Sequence, residues 1–111
     1  MSSMAKIDIK FVNKARKKAK ESICRSRISA LGFNRQGVCV LAKTNKPRFS
    51  RPGGGMHAEK LIMLQAKKKG IIKILICRIG LGGDIRPIHP CKGCQKLADK
   101  LGITIESINE S

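Results

Sequence analysis

Two short motifs carry the chemistry that this chain could do: His57-Ala58-Glu59 and Pro90-Cys91-Lys92-Gly93-Cys94. An imidazole and two thiols suit a borderline-soft ion such as zinc, and three protein donors leave the fourth tetrahedral position open for water. A closed structural site needs four donors, and neither motif offers an obvious fourth. Glu59 is the carboxylate that a zinc-bound water would need as its proton acceptor. Each residue also has a plainer reading. Cys91 and Cys94 could form a structural half-site or a redox pair, although a redox pair leaves His57-x-Glu59 without a role. Glu59 could be a first-turn glutamate that complements the helix dipole. His89, just ahead of Pro90, could be a fourth ligand, a substrate contact or a loop histidine, and a pocket-lining role is preferred.

Periodicity shows which elements must position these groups. Phe11, Val12, Ala15, Ala19 and Ile23 recur at three- and four-residue spacing, which predicts an amphipathic helix from about Ile7 to Ile23. Arg25 to Phe33 and Gly37 to Ala42 are β-prone, and Asn34-Arg35-Gln36-Gly37 between them suits a hairpin turn. Lys43 to Met56 reads as loop, because Asn45, Pro47, Pro52 and three consecutive glycines oppose regular structure. His57 to Lys69 reads as a helix without breakers until Gly70. Ile71 to Arg78 is an apolar run of strand length, as for a strand buried on both faces. Gly80 to Pro90 is a second loop, Lys92 to Leu101 a helix stopped by Gly102, and Ile103 to Ile108 a last strand.

This alternation implies right-handed crossovers and a parallel arrangement of the last strands. In such sheets ligands collect beyond the carboxyl ends of strands, where helices begin. Both motifs fall at predicted helix starts. Cys91 and Cys94, at i and i+3, share one helix face and can reach one metal. The positive helix end favours their thiolates.

Composition bounds the rest. The 111 residues predict one domain, 1–111, with a single core. No apolar run approaches the length of a transmembrane helix, and Met1 to Lys10 has no signal-type apolar region, so neither membrane insertion nor standard secretion is expected. Five cysteines at irregular spacing argue against a disulfide framework. A reducing, cytoplasmic setting follows, with Cys24, Cys39 and Cys77 as small apolar residues inside structural elements. Lys and Arg number 24 against 7 Asp and Glu, a net charge of +17. Lys10 to Arg51 alone holds thirteen basic residues and one acid, Glu21. Such a field gathers polyanions and makes their binding salt-dependent, which points to DNA or RNA as partner; a merely soluble basic surface is the alternative. With no Trp or Tyr and three Phe, a base-stacking platform would be sparse.

From Asn45 to Ile108 the chain resembles the cytidine/deoxycytidylate deaminase-like superfamily, which includes tRNA adenosine deaminases and polynucleotide cytosine deaminases. The resemblance rests on Asn45-Lys46-Pro47, His57-Ala58-Glu59, Pro90-Cys91-Lys92-Gly93-Cys94 and the stretch Gln95 to Ile105. That last stretch is most like the deoxycytidylate branch, and free-cytidine deaminases more often place Cys where this chain has His57. The resemblance implies an α/β, three-layer sandwich with a mixed sheet flanked by helices. About four strands are expected here, the family's fifth being absent, since ten residues follow Leu101. It further implies one Zn2+ per chain on His57, Cys91 and Cys94, with water or hydroxide as fourth ligand and Glu59 as proton carrier. Asn45 would then touch a sugar or base, or instead form an Asx-turn before Pro47. Lys43, Lys46, Arg48 and Arg51 would hold phosphates near the pocket.

Three function classes follow. The first, favoured by charge, deaminates a base within single-stranded or looped DNA or RNA, with cytosine preferred over adenine. The second acts on free deoxycytidylate or a related nucleotide. The third is a nucleic-acid-binding zinc module without catalysis, which has no need of Glu59. Homo-oligomerisation stays open.

Overall fold

The computed structural model describes residues 9–22, 27–47, 55–90 and 92–108. In chain order these form α1 (Ile9–Ala19), β1 (Arg27–Phe33), β2 (Cys39–Thr44), β3 (Lys46–Pro47), β4 (Gly55–Met56), α2 (Ala58–Met63), α3 (Ala66–Lys69), β5 (Lys73–Ile79), β6 (Ile85–Arg86), α4 (Lys92–Leu101) and β7 (Thr104–Ser107). The apolar run of β5 makes it the hub of the sheet. One edge pairs antiparallel with β1 along its whole length, and β1 pairs antiparallel with β2. The other edge is shared: Lys73–Ile76 pairs parallel with β7, and Arg78–Ile79 pairs antiparallel with β6. The sheet is therefore mixed, with the last long strands parallel as expected. It has five strands but is four wide at any level, because β6 and β7 divide one edge.

Strand alternation sends side chains to two faces, and each face gathers a core. Ala30, Ile74 and Ile76 meet Ala58, Ile62 and Met63 of α2 and Cys94 and Ala98 of α4. Leu31, Phe33, Leu75, Cys77 and Ile79 meet Ala15 and Ala19 of α1. The result is three layers. Burying each of Leu31, Ile62, Ile74 and Ile76 contributes about 1.5–3 kcal/mol. The small Ala15 and Ala19 let α1 lie close to the sheet, where the buried Ser29 hydroxyl donates to the Ala15 carbonyl at 2.7 Å. Phe11 and Phe33 meet edge to face, their centroids 4.9 Å apart. Burial pushes the Cys77 thiol up to about 11 against the pull of Arg16, which makes it the inert core residue expected from sequence. Cys39 is half-buried, and Cys24 lies outside the described residues.

Several boundaries differ from the sequence reading, each for a local reason. The first helix stops at Ala19 rather than Ile23. The chain tightens through Glu21 N–H to Lys18 O and Ser22 N–H to Ala19 O, and Ser22 is then held by Asn45. The Lys43 to Met56 stretch is not all loop. Lys43 and Thr44 belong to β2, and Lys46–Pro47 pairs antiparallel with Gly55–Met56, an edge ladder that Pro47 tolerates. The helix expected over His57 to Lys69 breaks at Gln65 (φ −113°, ψ 5°), giving α2 and α3. The Gly80 to Pro90 loop contains β6, reached by a turn in which Gly83 N–H donates to Gly80 O. The helix over Lys92 to Leu101 matches its expected bounds. The expected hairpin turn also forms, with Asn34 Oδ1 accepting from Gln36 and Val38 N–H. Gly70 (φ 68°) and Gly102 (φ 72°) take the left-handed conformation, and Ile71 and Ile103 N–H then reach back to Ala66 and Ala98 O.

α2 can approach β1 because Gly32 has no side chain. A Cβ there would lie 2.7 Å from Ile71 Cδ1 and 2.9 Å from Ile62 Cγ2. Gly32→Val should therefore overpack this face and cost about 1–3 kcal/mol, read as a lower urea midpoint with an unchanged m-value. An unchanged midpoint would show that the helix can shift without penalty.

Candidate metal centre

His57 follows β4 directly and is the residue before α2, in extended conformation (φ −70°, ψ 140°). Its carbonyl accepts from Leu61 N–H, so the backbone begins the helix while the imidazole makes no capping hydrogen bond. The ring instead brings Nδ1 to 3.4 Å from Cys94 Sγ. Cys94 lies in the first turn of α4, 4% exposed, with Ala98 one turn further along the same buried face. Glu59 is in the first turn of α2 and, although a carboxylate, is also only 4% exposed. Donor atoms of His57, Glu59 and Cys94 all lie within 4.8 Å of one another.

This arrangement fits a zinc ion. Ligands at about 2.05 Å (N) and 2.3 Å (S), set at a tetrahedral angle, are about 3.6 Å apart. The observed 3.4 Å between Nδ1 and Sγ is close to that separation. Thiolate and imidazole would hold the ion, and Glu59 lies near enough to meet a water on it. The start of α4 helps to stabilise a thiolate at Cys94.

The other site residues from the sequence do not join this donor group among the described residues. Cys91, Arg48 and Arg51 lie outside the described residues. Lys46 has its backbone in β3, and the β3–β4 ladder joins the two ends of the basic loop directly ahead of His57. Lys43 sits in β2 and is half-buried. His89 is exposed ahead of Pro90 and does not join the donor group of His57, Glu59 and Cys94. Asn45 does a structural job: its Oδ1 accepts from the Ser22 hydroxyl at 2.7 Å and from Ile28 N–H at 3.1 Å. That clasp joins the end of α1 to the start of β1 and the end of β2. Ser22 carries no sequence signal for it, because the contact exists only in the folded chain.

Solved structures of similar fold share this architecture. Cytidine deaminase from Mycobacterium tuberculosis superposes with a TM-score of 0.64 at 15% identity, covering 91% of this chain and 85% of that one. Cytidine deaminase from Mycobacterium leprae gives 0.65 at 16% identity, covering 90% and 87%. The Burkholderia pseudomallei enzyme also gives 0.65 at 16%, covering 87% and 78%. No protein-family model and no curated protein matches the sequence. The fold is that of these cytidine deaminases.

Purified protein should carry close to one zinc per chain by elemental analysis. Cys94→Ser and Cys91→Ser should each lose it and lower the melting temperature, while Cys39→Ser should keep it. Full zinc in the Cys91/Cys94 double serine variant would sink the ligand assignment.

Proposed function

We propose that this chain is a zinc-dependent hydrolytic deaminase acting on a nucleobase, cytosine in preference to adenine, within single-stranded or looped DNA or RNA. One observation carries the chemistry: two motifs far apart in sequence bring His57, Glu59 and Cys94 into one cluster, with the carboxylate buried. His57, Cys94 and Cys91 would hold the ion. When bound, zinc supplies a Lewis-acid position at which the pKa of a water falls towards neutrality. Glu59 accepts the proton of the attacking water and passes it to the ring nitrogen. It then takes the remaining proton from the added hydroxyl group and delivers it to the exocyclic amine, so that the C–N bond breaks as the new C=O forms and ammonia leaves. Burial shields Glu59 from bulk water that would compete for its proton.

Charge supports the polymer substrate. The base must leave its stack to reach a centre at the helix starts, which suits a single strand or a loop. Lys43, Lys46, Arg48 and Arg51 come from the segment next to His57 and would hold its phosphates. The neighbours of similar fold favour a second reading, since their names give cytidine, a free nucleoside, as substrate. Free deoxycytidylate or a related nucleotide belongs with that reading. A non-catalytic binding module is disfavoured by Glu59, because burying a carboxylate costs free energy that such a module has no reason to spend.

Glu59→Ala should retain zinc and fold yet lower kcat by about 10²–10⁴, the usual range for a general acid–base group. Near-wild-type turnover in that variant would overturn the proton-carrier role.

The substrate class is tested by incubating the protein with single-stranded DNA, structured RNA and free dCMP, followed by mass spectrometry for uracil and inosine. Turnover on a strand, falling steeply as salt rises, is the expected outcome. Neutralising Lys43, Lys46, Arg48 and Arg51 together should impair strand turnover far more than monomer turnover. Robust dCMP turnover with no strand product would favour the second reading.

A further inference from the structure

Three arginines outside the metal centre surround an open cleft of about 340 Å³, lined by Arg27, Arg78 and Arg86 with Gly80, Leu81 and Pro87. They come from three neighbouring strands and meet at the end of the sheet where β5 finishes. Arg27 opens β1 beside Ile79, the end of β5, and Arg78 and Arg86 are direct cross-strand partners on β5 and β6. Alternation along β5 puts Arg78 on the face of Ile74 and Ile76, the face that α2 and α4 cover. Arg86 shares that face, since its neighbour Ile85 packs on the opposite core, whereas Arg27, the cross-strand partner of Ile79, comes to the cleft from the other face at the start of β1.

This is also the edge of the metal centre. Pairing of β1 with β2 puts Thr44 beside Ser29, two residues from Arg27, so the chain enters the basic loop and His57 from that end. The chain that leaves Arg86 reaches the start of α4 and Cys94 within a few residues.

The charges in the cleft are not balanced internally. Like charges directly opposite on neighbouring strands destabilise a sheet, yet Arg78 faces Arg86. Asp84 pairs with Arg86 at 2.8 Å. Among the described residues neither Arg27 nor Arg78 has a carboxylate partner. Lys20 adds positive charge beside Gly83, on the turn that closes the cleft. Guanidinium groups bind phosphate through two parallel hydrogen bonds, and an anion between Arg78 and Arg86 would turn their repulsion into attraction. Leu81, 90% exposed on the rim, offers an apolar surface to an unstacked base.

We infer that the Arg27–Arg78–Arg86 cleft is a binding site for the phosphate backbone of a single-stranded nucleic acid, on the edge from which the strand reaches the metal centre. This rests on the polymer-substrate reading and adds to it phosphate contacts beyond those proposed for Lys43, Lys46, Arg48 and Arg51.

The test uses the zinc-loaded protein and a fluorescein-labelled oligothymidylate, which has no amino group to lose and so reads binding alone. Anisotropy is followed from about 50 to 200 mM salt. The triple variant Arg27→Gln/Arg78→Gln/Arg86→Gln should bind at least about tenfold more weakly at low salt. Its slope of log affinity against log salt should be shallower by about 2. Lys67→Gln/Lys68→Gln/Lys69→Gln removes the same charge from α3, which leads to the opposite end of β5, and should weaken binding less than about threefold. Equal losses in the two triples would overturn the cleft in favour of a diffuse field. Arg78→Gln alone relieves the facing charges, so it should keep or raise the melting temperature while weakening strand binding; unchanged binding in this folded variant also overturns the proposal. A matching rise in KM for free dCMP, with strand binding intact, would assign the cleft to a monomer phosphate instead. Deamination assays run separately, so a chain without catalysis that still binds strands through the cleft would refute the enzyme and leave this site standing.

Discussion

The candidate centre depends on two helices lying side by side on one face of the sheet with their starts at the same edge. Ala58 and Ile62 of α2 and Cys94 and Ala98 of α4 bury themselves against Ala30, Ile74 and Ile76. That apolar contact brings the helix starts that carry His57 and Cys94 together. Small side chains make it work: Ala58, Ala98 and Gly32 let the backbones approach. If this face were packed more loosely, two ligands from separate motifs would sit too far apart for one ion.

Burial and charge then act in opposite directions across a short distance. Glu59 is withdrawn from solvent, while the chain as a whole carries a net charge of +17. A low-dielectric interior strengthens each electrostatic interaction near the carboxylate, and a strongly positive surface favours the approach of anions in general. The Arg78–Arg86 pairing fits this division. It weakens the fold slightly where it stands, and it is tolerated at the edge where an anion would relieve it. The turn beneath is held from the other layer by Arg16, whose Nη2 donates to Gly83 O at 2.9 Å.

Much of this was legible in the chain itself. The three long strands, the helix of Lys92 to Leu101 and the hairpin at Asn34 follow from local patterns, because burial on a pleated or helical surface imposes a period on the sequence. The two motifs and the superfamily resemblance pointed to the same fold that the solved structures share. Short elements were less legible. The two-residue strands β3, β4 and β6 have no period to detect, and they exist because a neighbouring backbone supplies partners. The break at Gln65 likewise has no proline or glycine to announce it.

The sequence by itself determined which donors exist, that they begin helices, and that the surface is heavily cationic. These are properties of residue type and local spacing. Only the tertiary structure decided that His57, Glu59 and Cys94 share one place, that Glu59 is buried, and that Asn45 Oδ1 accepts from the Ser22 hydroxyl and Ile28 N–H. It also decided that Arg27, Arg78 and Arg86 line one cleft. The reason is physical. A local pattern constrains which way a side chain faces on its own element, whereas proximity between distant residues is set by sheet order and register, which arise from packing the whole core at once.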